Sequence, residues 1–201
     1  MVLIGVMGNK GSGKTTISEF LKESYIFTEK SFADPLKRAC QVLFNLSDDQ
    51  IYSTQEKKET PDPRWFNCTP RKILQFVGTD LLRNNLDQIM PGLGVNVFTH
   101  SFKIWYDNEI KKNPQINIIV SDVRFQNEID LIQSLDGFVI KIDRPNNLDV
   151  NDMHQSEIEL RNISTFNYLV VNDGTLDQFY KKTETILQSI YLNNSNNGAN
   201  N

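Results

Sequence analysis

Cysteine and histidine are scarce in this sequence of 201 residues, with two of each. Cys40 and Cys68 are far apart and form no CxxC pair, and only His100 and His154 are available to join them at a metal. A disulfide framework and a zinc site both require clustered ligands. The sequence therefore supports neither, and we expect reduced thiols.

Long apolar runs and blocks of like charge are also missing. No stretch approaches the ~20 apolar residues of a membrane span, and the N-terminal apolar run is too short for a signal peptide and lacks its basic start. The 21 Lys and Arg residues are interspersed with 25 Asp and Glu residues, giving a net charge of −4. We therefore expect a cytoplasmic protein that binds neither a membrane nor a nucleic acid polymer.

Length and hydrophobic content fit one compact domain. A hydrophobic share of 39% can fill a single core in a chain of this size. Apolar strands alternate with amphipathic helices, which is typical of a parallel sheet covered on both faces. The sequence predicts a three-layer αβα domain of the α/β class over 1–192, with about five parallel strands, and a disordered asparagine-rich tail over 193–201.

The apolar pattern places the individual elements. Strands are predicted at 2–7, 25–32, 116–120, 138–142 and 168–171. Helices are predicted after the first strand and near 34–44, 69–78, 95–112, 129–135 and 176–190. Gly78 is expected to interrupt the third of these helices, with a restart at Thr79. The charged segment 47–67 contains Pro61 and Pro63 and is expected to be a mobile insertion without regular elements.

The segment 8–15, with the sequence GNKGSGKT, matches the phosphate-loop pattern. Glycines let successive backbone amides point inward, and the following helix adds the positive end of its dipole. We expect the Lys14 ammonium against the β- and γ-phosphates of ATP, and the Thr15 hydroxyl on the bridging Mg²⁺. The alternative is a glycine-rich turn without a ligand, which the preceding strand and following helix disfavour. The residues assigned to ATP here are Gly8, Asn9, Lys10, Gly11, Ser12, Gly13, Lys14, Thr15 and Thr16.

A second candidate group follows the apolar strand near 118–120. Asp122 comes at the end of this strand, where a carboxylate can hold the metal beside the loop. Arg124 emerges at the same edge and can offset the charge of the transferred phosphoryl group. Lys14, Asp122 and Arg124 are therefore the predicted catalytic residues, and Thr15 and Asp122 the predicted metal ligands. The alternatives are a helix cap for Asp122 and a surface ion pair for Arg124.

The phosphate acceptor needs its own cations and base-binding groups. Arg71 and Gln75 are one helical turn apart, so that Arg71 can grip a phosphate while Gln75 contacts a base. Solvent exposure is the alternative for these two residues and for Lys37, and core packing is the alternative for aromatic residues such as Phe32 and Phe76. The complete predicted substrate set is Phe32, Lys37, Arg71, Gln75, Thr79 and Asp80.

In this order, the motifs resemble those of the deoxynucleoside monophosphate kinases of large DNA viruses and phages, within the P-loop nucleoside monophosphate kinases. The likeness covers nearly the whole chain. Besides the loop, it rests on FADPLK (32–37), RKILQFVGTD (71–80), SDVRFQNE (121–128), RP (144–145), HQSE (154–157) and NDGTL (172–176). The resemblance implies an enzyme that transfers the γ-phosphate of ATP to a deoxynucleoside monophosphate (dNMP), giving ADP and a diphosphate.

The resemblance also implies several features beyond the loop. It places the acceptor at about 32–95, a lid at about 144–161, and an adenine-side loop at 172–175. Arg144, Asn172, Gly174 and Thr175 then join the ATP set. It further implies Mg²⁺ as a cofactor and the cytoplasm of a host cell as the location, and relatives suggest a homodimer. His154, Ser156 and Glu157 either stabilise the closed lid or cap a helix.

Two other functions remain open from the sequence. A different small-molecule kinase, acting on dephospho-coenzyme A or phosphomevalonate, would share the loop, the strand-end acid and a segment like NDGTL. The segments FADPLK and RKILQFVGTD disfavour it. A nucleotide-dependent switch or ATPase module is the second alternative, and the lack of a guanine-binding NKxD segment disfavours it.

Overall fold

The sheet contains five parallel strands in the order β2-β3-β1-β4-β5. The structure is a computed structural model and describes residues 1–145, 160 and 162–198. The strands are β1 (Leu3–Met7), β2 (Thr28–Lys30), β3 (Ile118–Val123), β4 (Phe138–Asp143) and β5 (Tyr168–Val171). Every residue of β1 is buried, as expected for a central strand covered on both faces. The predicted five-stranded α/β architecture is confirmed.

Helices connect the strands. The α-helices of the described residues are α1 (Lys14–Tyr25), α2 (Asp34–Leu43), α3 (Asp48–Tyr52), α4 (Gln55–Glu59), α5 (Pro70–Gln75), α6 (Val97–Lys112), α7 (Gln126–Ser134) and α8 (Leu176–Gly198). Two short 3₁₀ helices span Pro63–Trp65 and Leu86–Gln88, and a π-helix spans Phe76–Arg83. Among these helices, none has the length and apolar character that a membrane span requires.

The chain divides into two compact units. The first comprises Met1–Ser31 and the described residues from Tyr106 onward, and it contains the whole sheet. In its core, residues of β1 such as Ile4 and Val6 pack with Ile17 and Leu21 of α1. Burying each of these side chains contributes about 1.5–3 kcal/mol. This core fixes the positions of the carboxyl ends of the strands, where the candidate site lies.

The second unit comprises Phe32–Trp105 and includes the region that was expected to bind the acceptor. In its π-helix, the Asn84 amide donates to the Thr79 carbonyl at 2.9 Å. The predicted interruption at Gly78 is therefore wrong, since the helix continues with a wider turn. A Cβ at Gly78 would lie 2.6 Å from Leu36 Cδ2, so glycine allows α2 to approach closely. The expectation of a single domain over 1–192 stays a prediction.

The insertion 47–67 contains regular structure, contrary to the expectation from its prolines. Ser47 and Gln50 cap α3 reciprocally, with the Ser47 amide 3.0 Å from Gln50 Oε1 and the Gln50 amide 3.3 Å from Ser47 Oγ. Thr54 caps α4 by accepting from the Lys57 amide at 3.5 Å. Local capping therefore starts each short helix, and Pro63 lies in the first turn of a 3₁₀ helix, where proline is compatible with helix geometry.

A buried carboxylate organises the end of this insertion. Asp62 Oδ2 accepts from Gln50 Nε2 at 2.8 Å and from Arg64 Nη2 at 2.6 Å. These hydrogen bonds, with that from Arg64 contributing most, hold the pKa of Asp62 well below its usual range. Trp65 Nε1 donates to the Phe44 carbonyl at 2.8 Å, which ties the segment to the end of α2. The insertion is thus anchored at both the aspartate and the tryptophan.

The predicted boundaries of β2 and α8 need correction. Strand β2 has only three residues, because α1 continues to Tyr25. Helix α8 extends to Gly198, beyond the start of the segment 193–201 expected to be disordered. Leu187 and Ile190 are buried on this helix, and Asn193 Nδ2 donates to the Tyr168 hydroxyl at 3.1 Å. These contacts favour helical structure in a sequence whose asparagines have low intrinsic propensity.

Candidate active site

The phosphate-loop pattern lies between β1 and α1, as the sequence predicts. Gly13 is the N-cap of α1 with φ +113°, and no side chain caps this helix. A Cβ at Gly13 would lie 2.9 Å from Asn172 Nδ2, and a Cβ at Gly8 would lie 2.6 Å from the Ile142 carbonyl oxygen. Both positions therefore require glycine. The amides that begin an α-helix have no partner within it, so they can bind an anion.

Lys14 folds back over the start of the loop. Its Nζ donates to the carbonyl oxygens of Gly8 at 2.6 Å and Asn9 at 2.8 Å. The Ser12 amide closes a turn by donating to the Asn9 carbonyl at 3.1 Å. A cation is thus held beside a curled backbone, which is the arrangement that a polyphosphate requires.

Ser12 points into the interior of the loop. Its side chain is 1% exposed, and among the described residues its Oγ is a buried polar atom without a hydrogen-bond partner. A Cβ at Gly8 would lie 2.6 Å from this oxygen. A hydroxyl without a partner beside a glycine that leaves no room for a side chain fits a loop that takes an oxygen-rich anion.

Two residues that are distant in sequence donate hydrogen bonds to the backbone of this loop. Asn172 Nδ2 donates to the Ser12 carbonyl at 2.9 Å, and Arg144 Nη1 donates to the Gly11 carbonyl at 3.1 Å. The structure therefore brings Arg144 and Asn172 to the loop. Their contacts in this structure are with the loop backbone, and their role toward ATP stays a prediction.

The other residues predicted for ATP lie on two segments. Lys10 is half-buried, Thr16 is half-buried on α1, and Gly174 is exposed. The Thr175 amide donates to Gln178 Oε1 at 2.9 Å, and the Gln178 amide donates to Thr175 Oγ1 at 3.3 Å. Thr175 is thus the cap of α8 in this structure.

Sequence reasoning missed a lysine that fixes the loop 172–175. Lys182 Nζ donates to the Val171 carbonyl at 2.8 Å and to Asp173 Oδ1 at 2.5 Å. The hydrogen bond from Lys182 lowers the pKa of Asp173. The available signal in the sequence was a lysine two turns into the helix that follows Asn172 and Asp173. Only the fold shows that the Lys182 side chain reaches back to the loop 172–175.

Asp122 lies within β3 beside the phosphate loop. Strand β3 pairs directly with β1, and Met7 is in register with Val123. The register shifts between Gly5 and Met7, so the ladder is irregular where Asp122 lies. This position agrees with the predicted neighbourhood of the carboxylate, although the strand extends past the predicted end at Val120.

Ser31 is a second residue that the sequence reasoning missed. Its hydroxyl is buried just after β2 and donates to Asp122 Oδ2. Strand β2 is the neighbour of β3 in the sheet, with Lys30 in register with Val120. The hydrogen bond orients the carboxylate, and a serine within the predicted strand 25–32 was the only local signal.

Glu128 shapes the turn that contains Arg124. Its side chain is 2% exposed, and its Oε2 accepts from the backbone amides of Arg124 at 2.8 Å and Phe125 at 3.2 Å. The carboxylate thus binds the amides immediately before α7, where a negative charge is favourable. The turn between β3 and α7 is therefore fixed by a buried acid.

The chemistry of the donors is compatible with Mg²⁺. The described residues contain no group of three or more His, Cys, Asp and Glu side chains that would enclose a metal. Mg²⁺ is usually held by one or two protein oxygens together with substrate phosphates and water. The exposed Thr15 hydroxyl and the partly buried Asp122 carboxylate offer such oxygens.

On the acceptor side, Arg71 has two partners from α4. Its Nε donates to Glu59 Oε1 and its Nη2 to Gln55 Oε1. Lys37 lies 4.0 Å from Asp34 Oδ1 and 5.7 Å from the centroid of the Tyr52 ring. Both cations are therefore held by neighbours and are not isolated in solvent.

Phe32 belongs to the core of its unit. It is 2% exposed, and its ring centroid is 4.8 Å from that of Phe102. This burial agrees with the alternative of core packing, and the assignment of Phe32 to the substrate stays a prediction. Phe76 is instead 58% exposed, so its ring is not in the core.

The remaining substrate residues lie on α5 and the π-helix. Gln75 is half-buried at the end of α5, Thr79 is buried and Asp80 is exposed. Their roles stay predictions. The residues 146–159 and 161, including His154, Ser156 and Glu157 of the predicted lid, lie outside the described residues.

Solved structures with the same architecture support the class of the fold. A dephospho-CoA kinase from Campylobacter jejuni has a TM-score of 0.51 at 18% identity, covering 96% of this chain and 98% of that chain. TT1252 from Thermus thermophilus has a TM-score of 0.50 at 14% identity, covering 94% and 97%. These identities show the fold alone. With the loop between β1 and α1, the fold defines an α/β protein of the P-loop kinase class.

Sequence comparisons then give the family. The family described as deoxynucleotide monophosphate kinase matches residues 58–183. A protein of Acanthamoeba polyphaga mimivirus, provisionally named for this activity, is 59% identical over 182 residues, covering 90% of this chain and 94% of that protein. The deoxynucleotide monophosphate kinase of Enterobacteria phage T4 is 29% identical over 148 residues, covering 73% and 53%. The chain belongs to the deoxynucleotide monophosphate kinase family.

Membership confirms the family expected from the motifs. It identifies the chain as a kinase and implies the use of nucleotides. The match extends over α5, the π-helix, β3, β4 and β5, whereas the phosphate loop and the segment 32–37 precede it. The geometry of the phosphate loop is therefore evidence that does not depend on this family match.

Proposed function

We propose that this kinase transfers the γ-phosphate of ATP to the 5′-phosphate of a dNMP, giving ADP and a deoxynucleoside diphosphate. The main support is the phosphate loop, in which Lys14 lies over the curled backbone at the uncapped start of α1. Family membership adds the acceptor class, since the relatives are named for deoxynucleotide monophosphates. The viral and phage relatives also support a location in host cytoplasm.

The donor side of the reaction needs charge compensation. Loop amides and the α1 N-terminus would bind the phosphates, and Lys14 would exchange its carbonyl partners for phosphate oxygens. The Thr15 hydroxyl and the Asp122 carboxylate would hold Mg²⁺, whose charge offsets that of the β- and γ-phosphates when it is bound. Ser31 would keep the Asp122 carboxylate oriented, because its hydroxyl donates to Oδ2.

The acceptor is already an anionic phosphate oxygen, so no protein base is required. The main tasks are to align two anions and to exclude water. Arg124, on the turn fixed by Glu128, and Arg144, against the loop, would offset the charge that spreads over the transferred group. Arg71 would hold the acceptor phosphate, while Lys37, Gln75, Thr79 and Asp80 would complete its site.

A panel of acceptors tests this proposal. ADP release is measured with ATP and Mg²⁺ plus each dNMP, each ribonucleoside monophosphate, dephospho-coenzyme A, phosphomevalonate, or no acceptor. We expect fast ADP release only with one or more dNMPs. Fast release with dephospho-coenzyme A or phosphomevalonate would favour the other small-molecule kinases, and fast release without an acceptor would favour an ATPase. Gel filtration with light scattering of the same protein tests the suggested homodimer.

A further inference from the structure

The insertion supplies two hydrogen-bond partners of the predicted phosphate-binding arginine. Gln55 and Glu59 are four residues apart on α4 and therefore lie on one face of this helix. Glu59 accepts from Nε of Arg71, and Gln55 accepts from Nη2 of the same guanidinium. Arg71 lies in the first turn of α5, and its side chain is 21% exposed. Two oxygens from one helix thus engage one edge of one arginine.

This engagement fixes the orientation of the guanidinium. A guanidinium is planar and presents its N–H groups as a rigid fork. The contacts with α4 use Nε and Nη2, so the plane cannot rotate without breaking one of them. A long side chain loses rotamer freedom when it binds a ligand, and a side chain that is already held loses less.

The helix that holds Arg71 is itself anchored. Thr54 caps the start of α4, and the chain following α4 is fixed by the buried Asp62 carboxylate with its partners Gln50 and Arg64. The Trp65 indole then ties this segment to α2 through the Phe44 carbonyl. The insertion therefore fixes the position of α4, the helix that binds Arg71.

We infer that Gln55 and Glu59 are positioning residues for the acceptor phosphate, and that the insertion 47–67 is part of the acceptor site because it holds Arg71 from behind. This inference rests on the proposed function, in which Arg71 binds the phosphate of a dNMP. It assigns a role to a segment for which the sequence offered none. The residues act through Arg71 and do not themselves contact substrate.

The negative charge of Glu59 repels an incoming phosphate, and this repulsion opposes the benefit of holding Arg71. The side chain is 44% exposed, and water screens an ion pair at that exposure to a weak interaction. Its directional hydrogen bond to Nε persists irrespective of screening. The orientation of the Arg71 guanidinium therefore matters more than the charge of Glu59. A neutral hydrogen-bond acceptor at position 59 should hold Arg71 almost as well.

Steady-state kinetics with the full chain test the inference. Glu59→Ala and Gln55→Ala should each raise KM for the dNMP by about fivefold, as expected for coupled neighbours. Both should leave kcat and KM for ATP within about twofold of the parent values. Glu59→Gln keeps an oxygen acceptor and should restore KM to near the parent value. Glu56→Ala, an exposed acid on the same helix, is the matched control and should change nothing.

A double-mutant cycle asks whether the effect passes through Arg71. In an Arg71→Ala background, adding Glu59→Ala should cause no further rise in KM. A further rise equal to that in the parent would show that Glu59 acts elsewhere and would overturn the inference. If Glu59→Ala fails to fold, as judged by circular dichroism, Gln55→Ala in the two backgrounds decides the same question.

The remaining outcomes separate the two proposals. An unaltered KM in Glu59→Ala, with an active parent enzyme, would overturn the inference and leave the proposed function intact. A lowered KM would also overturn it, because Glu59 would then compete with the phosphate. A parent enzyme that phosphorylates no dNMP would instead refute the proposed function, on which the inference rests.

Discussion

Removing the Glu128 carboxylate tests how the turn with Arg124 is held. Glu128→Ala leaves the backbone amides of Arg124 and Phe125 without this acceptor, and each such loss costs about 1–3 kcal/mol when the donor is buried. Arg124 and Phe125 are only half-buried, so water can compensate in part. We expect a total destabilisation of about 3 kcal/mol, including the lost favourable charge at the start of α7.

That free energy corresponds to a fall in melting temperature of about 6–12 °C for a protein of this size. Glu128→Gln retains an acceptor and should lose less than half as much, because glutamine can also complete this type of cap. Asp130→Ala, on the exposed face of α7, is the control and should remain within about 0.5 kcal/mol of the parent. Thermal unfolding followed by circular dichroism measures all three. A Glu128→Ala protein that melts within about 2 °C of the parent would refute the assigned role.

Three further predictions concern other parts of the chain. Lys14→Ala should lower kcat about 100- to 1000-fold with an unchanged circular dichroism spectrum, and parent-like turnover would contradict the assigned role. Burial raises the pKa of Cys40 to about 11, so iodoacetamide at about pH 8 should modify only Cys68 in the native protein and both thiols after unfolding. Because the pKa of Asp62 is lowered on folding, its stabilisation is complete above its ordinary value of 3.8 and is lost as pH falls below it. Trp65 fluorescence should report this acid transition, and Asp62→Asn should remove its pH dependence.

The sheet and the phosphate loop could be predicted because their signals are local. Strand β1 and the first three residues of β3 are apolar runs, and the loop pattern combines glycine spacing with a lysine at the start of a helix. Neither signal depends on distant residues. The expected position of Asp122 beside the loop followed from the general rule that strand ends of a parallel α/β sheet meet at one edge.

Long-range side-chain contacts could not be predicted in the same way. Ser31 and Asp122 are 91 positions apart, and only the adjacency of β2 and β3 brings them together. Arg71 was identified as a candidate cation, but its partners lie in a segment whose prolines suggested irregular chain. The helices there depend on capping by short polar side chains such as Ser47 and Thr54, which also occur in turns.

The central claim is that the protein transfers a phosphoryl group from a nucleotide at the phosphate loop to a second nucleotide held by the acceptor cations. The most direct measurement incubates the protein with γ-labelled ATP, Mg²⁺ and each dNMP, and separates the labelled products. The account predicts label in a deoxynucleoside diphosphate, with that product greatly diminished in Lys14→Ala. Label that appears only as inorganic phosphate, or that stays in ATP with every dNMP, would contradict it.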